Sequence, residues 1–321
     1  MDNWKQIPLY QGIRKAAYSA LRLLPVKRNK IIFNNFGGRG FGDDPKYIAQ
    51  ELLKRGEDLQ LCWVVNDMQT PLPQGITPIQ NGNFRTAIHY ATAKVWVENF
   101  KGYYKPPKKK SQFYLQTWHS TLGFKMNEAD ASSLDPEYVK TAKRDAKMTD
   151  LMYSDNDFRL EKYRTRYWYD GPVEKCDVPR MSILHAPPET LVRQVWDAFG
   201  LKDQKIALYA PTFRDQIRYR DYCLDPQACI QALEERFGGK FVLLIRLHPN
   251  EIRLGGTIDA SADDLRDACG YPDMQELLAA ADVLITDYSG CMFDCGFVNK
   301  PVFLLTKDWD AYRETERGTT F

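Results

Sequence analysis

The stretch KIIFNNFGGRGFGDDPKYIAQELLKRG, residues 30–56, holds the pattern on which the fold reading rests. Ile31, Ile32 and Phe33 form a short apolar run that reads as a buried strand. Gly37, Gly38, Gly40 and Gly42 follow as a flexible loop. Residues 45–54 then read as a helix that Gly56 closes. Strand, glycine-rich turn and helix make the first part of a βαβ unit. The unit is completed by the apolar LQLCWVV at 59–65. The same alternation continues through AKVWVEN (93–99), FYLQTWH (113–119) and LMYS (151–154). It implies a parallel sheet with helices on both faces. The loop has the spacing G-x-G-x-G and lacks G-x-G-x-x-G, which argues against a dinucleotide site.

The pattern restarts further along. KIALYAPTFRD (205–215) is a strand and loop, PQACIQALEERFGG (226–239) a helix, KFVLLIRLHP (240–249) a strand, and DMQELLAAAD (273–282) a helix. VLITDYSG (283–290) is a further strand, and after another helix PVFLL (301–305) is the last. Prolines cluster between the two arrays in CDVPRMSILHAPPE (176–189). The expected domains are therefore 29–180 and 186–321, both α/β and Rossmann-like. Facing each other across a cleft, they would hold a ligand at their strand ends.

A chain of 321 residues is long enough for two such domains. Its 44 Lys+Arg against 42 Asp+Glu give a net charge of +2, so bulk charge does not point to nucleic acid. The basic residues are unevenly placed. Residues 1–30 hold Lys5, Arg14, Lys15, Arg22, Lys27, Arg28 and Lys30 against Asp2 alone, and KGYYKPPKKK spans 101–110. Leu9, Ile13, Ala16, Ala17, Ala20, Leu21 and Leu24 recur at helical spacing opposite Gln11, Arg14, Lys15 and Arg22. Residues 1–28 thus read as an amphipathic basic helix ended by Pro25. Such a helix either packs on its own domain or lies on an anionic membrane surface. No apolar run approaches the length needed to span a bilayer. Seven cysteines without C-x-x-C spacing read as reduced thiols, with Cys291 and Cys295 on one helix face as packing residues.

Of four histidines, His119 and His248 each follow a strand, one per array, where open parallel sheets bind ligands. His89 reads as a packed helix residue, and His185 lies between the arrays. In VLITDYSG the turn from strand to helix reads in two ways. Asp287 or Ser289 caps the helix. Alternatively, its N–H groups, Ser289 and Gly290 receive a phosphate. Thr212 and Arg214 lie just past a strand end, where an arginine pairs with phosphate oxygens or with Asp215. Asp155 and Asp157 in SDND read as helix capping rather than as a metal site.

Taken in order, the motifs GDDPKYIAQEL, TWHS, VPR, YAPTFRD, RLHPN, ITDYSGCMFD and Arg317-Gly318 resemble the CDP-glycerol glycerophosphotransferase family. These are the polyol-phosphate transferases of teichoic-acid and capsule polymers. The resemblance runs from about Lys30 to the end of the chain. It implies the GT-B fold, two Rossmann-like domains binding an activated donor. It implies His119 as general base and His248 as a contact of the donor diphosphate. It also assigns Thr212, Arg214, Arg246, Asp287, Ser289, Gly290, Asp294 and Arg317 to the donor. Ser120 replaces the family's glycine after WH, Gly290 its second serine, and residues 177–182 (DVPRMS) depart from GxPRND. DNPK of the family stands here as Asp43-Asp44-Pro45-Lys46. These departures leave the polyol open. Members continue beyond the Arg317-Gly318 element, so a further segment or a short member is implied.

The implied reaction is transfer of a polyol-phosphate from CDP-glycerol, or another CDP-polyol, to an acceptor hydroxyl, with CMP leaving. It calls for no cofactor or metal and no nucleic acid. The expected partners are the CDP-polyol, a lipid-linked or polymeric glycan and an anionic membrane, at the cytoplasmic face. Two rivals share these features: a GT-B glycosyltransferase using a nucleotide-sugar, and an inactive binding protein of a polymer-export assembly.

Overall fold

The computed structural model describes residues 18–102, 105–119, 122, 126, 128–131, 134–214 and 224–315. The chain divides into two compact units, 1–119 with 133–176, and 120–132 with 177–321.

The first unit is built on β1 (Lys27–Asn34), α1 (Asp43–Arg55), β2 (Gln60–Val65), β3 (Ile76–Gln80), α2 (Phe84–Thr92), β4 (Ala93–Glu98) and β5 (Phe113–Gln116). It continues with α3 (Pro136–Met148), β6 (Met152–Ser154), α4 (Asp157–Arg166) and β7 (Val173–Lys175). The strands order as β3-β2-β1-β4-β5, all parallel, and β6 pairs separately with β7. Neighbouring residues of one strand point to opposite faces. Ile32, Cys62, Val64 and Trp96 pack with Tyr90 and Tyr114 on one side. Phe33, Trp63, Val65 and Val97 pack with Phe41 and Ala49 on the other. Both faces are covered, which is why these strands read as unbroken apolar runs.

The second unit contains α5 (Ser182–His185), α6 (Glu189–Phe199), β8 (Lys205–Tyr209), α7 (Pro226–Phe237), β9 (Phe241–Ile245) and α8 (Pro249–Arg253). β10 (Leu265–Asp267), α9 (Met274–Ala280), β11 (Val283–Thr286), α10 (Cys291–Phe297), β12 (Val302–Leu304) and α11 (Trp309–Thr315) complete it. Its parallel sheet orders as β10-β9-β8-β11-β12. Each unit therefore starts at a central strand, adds two strands on one side, and returns to add two on the other. The reversal points lie between β1 and β4, and between β8 and β11. Ligands of such sheets bind beyond the strand ends at these points.

Three strands carried no clear signal in the sequence: the short β7 and the edge strands β3 and β10. Edge strands are less apolar, and β3 also contains Pro78. Residues 1–17, which include most of the expected basic helix, lie outside the described residues. Its end is described: Leu21 is buried against Ala87 and Ala91 of α2, with Tyr18 and Leu24 beside it. That end therefore packs on its own unit. Three lysines of the run at 101–110 have partners within the unit. Lys101 donates to the Tyr167 carbonyl at 3.1 Å, Lys108 pairs with Asp150, and Lys109 donates to the Leu24 and Ala91 carbonyls.

His89 packs on α2 as expected, and burial, with Lys30 and Lys27 nearby, pushes its pKa down to about 4. The cysteines on α10 are packing residues: burial pushes the Cys291 thiol up to about 11 and Cys295 to about 12. Asn156, not Asp155 or Asp157, caps α4 by accepting from Arg159 N–H, while Asp157 pairs with Lys175.

Candidate active site

At the reversal point of the first unit, Asn99 directly follows β4 and is fully buried. Its side-chain oxygen accepts the Phe36 N–H at 2.8 Å, and its amide donates to Asn35 at 2.8 Å and Asp43 at 2.7 Å. One side chain therefore ties the end of β4 to both ends of the glycine loop after β1. Its carbonyl has a further role, as it accepts from Nδ1 of His119 at 2.6 Å. A carbonyl can only accept, so the neutral imidazole carries its hydrogen on Nδ1 and its basic lone pair on Nε2.

Aromatic rings fix the plane of this imidazole. Trp118 stacks on it at 4.4 Å and Phe36 meets it edge-on at 5.1 Å. Phe36, Asp43 and Trp118 all have positive φ (43°, 55° and 56°). Such conformations cost about 1–3 kcal/mol each for non-glycine residues and collect at functional sites. Two of them, Phe36 and Trp118, meet the histidine ring, and Asp43 accepts from the Asn99 side chain.

Beneath it lies a buried polar network that the sequence did not announce. Lys105 pairs with Glu98 at 2.5 Å and with Asp145. Tyr114 lies 3.0 Å from each carboxylate, and Tyr90 hydrogen-bonds Glu98. Complete burial raises the Glu98 carboxyl above its ordinary value even with Lys105 beside it. The backbone of Glu98 in turn accepts the Thr117 N–H, so the network braces the segment that presents His119.

The second unit repeats the clamp. Asp287 directly follows β11, as Asn99 follows β4, and its carboxylate accepts the Thr212 N–H at 2.9 Å beyond the end of β8. It also accepts the Tyr288 N–H at 2.6 Å and pairs with Arg214 at 3.0 Å. Arg214 is 1% exposed. It further pairs with Asp308 at 2.8 Å, donates to the Thr212 carbonyl at 2.6 Å, and lies over Tyr288 and Tyr312.

Several residues expected at the donor have partners within the unit. Arg214 is ion-paired with two carboxylates inside the unit. Asp287 is neither a helix cap nor a surface group, because its oxygens hold the β8 loop. Arg246 donates to the Ala268 and Tyr271 carbonyls at 3.0 and 2.5 Å. Asp294 is buried between Gln275 and Arg180. Gly290, not Ser289, stands at the start of α10, with φ of −61°, and Ser289 accepts from the Cys291 thiol at 3.2 Å. Thr212 keeps a buried hydroxyl with no hydrogen-bond partner among the described residues. Arg317 lies outside the described residues.

His248 stands three residues past β9, as His119 stands three past β5. It caps α8, its Nδ1 accepting the Asn250 N–H at 3.1 Å. In the neutral ring the hydrogen must then be on Nε2, the reverse of His119. Phe213 stacks on it at 5.8 Å. One imidazole is thus set to accept a proton at Nε2 and the other to donate a hydrogen bond from the same atom. Among the described residues no group of three His, Cys, Asp or Glu has the arrangement of a metal site.

The family described as CDP-Glycerol:Poly(glycerophosphate) glycerophosphotransferase matches residues 16–321. The teichoic acid poly(glycerol phosphate) polymerase of Staphylococcus epidermidis is 29% identical over 308 residues, 91% of this chain and 42% of that protein. Its Bacillus subtilis counterpart is 27% identical, over 96% of this chain and 42% of its own length. The chain thus spans less than half of these two relatives. The wall teichoic acid polymerase TagF superposes with a TM-score of 0.81 at 26% identity, covering 98% of this chain and 80% of that one. A TagF variant soaked with CDPG matches equally well, at 0.81. This likeness puts the two Rossmann-like units in the GT-B class that the motifs implied.

Proposed function

The chain belongs to the CDP-glycerol:poly(glycerophosphate) glycerophosphotransferase family, and from that membership we propose that it moves a polyol-phosphate unit from a CDP-activated donor to an acceptor hydroxyl. The acceptor oxygen attacks the β-phosphorus of CDP-glycerol or a related CDP-polyol. The bond from that phosphorus to the bridging oxygen breaks, and CMP leaves with the bridging oxygen. Nε2 of His119 takes the hydroxyl proton, and the Nε2 hydrogen of His248 is offered to the diphosphate as negative charge builds. The observation that carries this reading is the opposite tautomeric setting of the two histidines, each beyond a strand end. Charge is handled by side chains, without a resident cofactor. The buried Thr212 hydroxyl and Ser289 are the remaining candidates for donor contact.

The acceptor is a lipid-linked or polymeric glycan at the cytoplasmic face of the membrane. The teichoic acid relatives and the basic residues near the start of the chain support this. No helix among the described residues is long and apolar enough to cross a membrane. The test is incubation with CDP-glycerol, CDP-ribitol and nucleotide-sugars in turn, scoring the nucleotide released. CMP is the expected product. Release of a nucleoside diphosphate from a nucleotide-sugar would mark a glycosyltransferase instead.

The clamp makes its own prediction. Asn99→Ala removes three side-chain hydrogen bonds and frees the loop carrying Phe36. Small displacements of a catalytic group cost up to about 10²-fold in rate. The turnover number should fall by roughly that factor while the dissociation constant of the CDP-polyol stays within about twofold, because Asn99 reaches no donor group in this reading. A parallel loss of donor affinity in titration calorimetry would show that the loop, not the base, is what Asn99 serves.

A further inference from the structure

A groove of about 670 Å³ in the first unit is lined by five cations and no acid. Lys140, Lys143, Arg144 and Lys147 come from α3, and Lys108 comes from the segment between β4 and β5. The four helix residues recur at i, i+3, i+4 and i+7, forming one basic stripe. Like charges at this spacing destabilise a helix. The opposite side of α3, with Ala142, Asp145 and Ala146, is buried, so packing holds the stripe in place.

The groove is a built structure. Asp145 pairs with Lys105, Arg144 donates to the Lys105 carbonyl at 2.5 Å, and Asp150 grips Lys108 at 2.6 and 2.8 Å. These ties join the helix to the proline-containing segment that forms the other wall. Little inside the unit neutralises the stripe. The Lys147 side chain makes no hydrogen bond or ion pair among the described residues, Lys143 lies over the Trp168 ring, and Lys140 meets Glu137, with both side chains of that pair largely exposed. The whole chain carries a net charge of only +2, so this concentration is local.

We propose that the groove binds the phosphodiester backbone of a polyol-phosphate chain, holding units of the acceptor polymer other than the one that reacts. This rests on the transferase reading above. The four cations of the stripe exceed what a single phosphate can engage, and their linear order suits a chain bearing one charge per unit. His119 is not among the lining residues.

The test is equilibrium binding of a defined phosphodiester-linked glycerol oligomer to the full chain, without donor and without turnover. The comparison is the triple variant Lys140→Gln, Lys143→Gln, Lys147→Gln. Glutamine keeps helix propensity close to that of lysine. Single-stranded polyanions lose affinity with a log–log salt slope of about −0.7 per phosphate neutralised. The slope should therefore become shallower by about 2 in the variant, and affinity near 0.1 M salt should fall about tenfold or more. Unchanged oligomer affinity in a folded variant would overturn the proposal. So would loss of binding to phosphatidylglycerol vesicles with oligomer binding intact, which would assign the stripe to lipid headgroups. Competition by inorganic phosphate at equal phosphate concentration would reduce the groove to a simple anion site. Because no turnover is read, failure here is distinct from failure to release CMP.

Discussion

His119→Ala is expected to lower transfer by about 10²–10⁴-fold, the usual cost of removing a general base. Donor affinity should stay nearly constant, since this histidine is assigned to the acceptor. The ring is exposed, so the fold should persist. His119→Asn sharpens the test. Its amide nitrogen can still donate to the Asn99 carbonyl, as Nδ1 does at 2.6 Å, but it offers no basic nitrogen. Equal losses in the two variants would trace the effect to the proton acceptor rather than to packing against Trp118 and Phe36. Single-turnover rates with saturating CDP-polyol separate this from binding. Turnover of either variant near the wild-type rate would remove His119 from the mechanism.

Arg214→Ala should act mainly on stability. It strips the common partner from Asp287, 3% exposed, and Asp308, and leaves the former carboxylate buried without its cation. Breaking one side of a buried pair typically costs about 3–5 kcal/mol. For a unit of this size that corresponds to a fall in melting temperature of roughly 10 °C. A donor-contact role predicts the opposite pattern, weakened CDP-polyol binding with an unchanged melting temperature. The pair also links stability to pH. Partial burial raises the Asp308 carboxyl, but the hydrogen bonds from Arg214 and Tyr288 and the Arg214 charge together outweigh it and hold the group below its ordinary 3.8. A carboxyl depressed in the folded state contributes stability that is present above its unfolded value. That contribution is lost as pH falls through the folded value. Acid unfolding of the wild type should therefore include this loss, and Asp308→Asn should lack it.

The alternation of strands and helices was legible because a parallel sheet covered on both faces needs apolar residues at every strand position. Runs such as FVLLI at β9 and VLIT at β11 can hardly be anything else. The positions of His119 and His248 beyond strand ends followed from the same pattern. So did the family, from motifs lying in order along the chain. The edges were less legible, since an edge strand such as β3 needs less apolar character and tolerates a proline.

The roles within the motifs were a different matter. Arg214 and Asp287 were recognised as important from the sequence, but as ligands rather than as each other's partner. Asp308, which completes the pair 94 residues beyond Arg214, carried no signal at all. Lys105 read only as part of a basic run until the fold brought Asp145 and Glu98 around it. Periodicity and motif order report what lies near in sequence: the face a residue occupies and the strand end it follows. Whether a charged side chain meets a carboxylate inside the unit or a phosphate outside depends on contacts between distant segments. Only the folded chain settles those, because burial makes an ion without a partner too costly to leave unpaired.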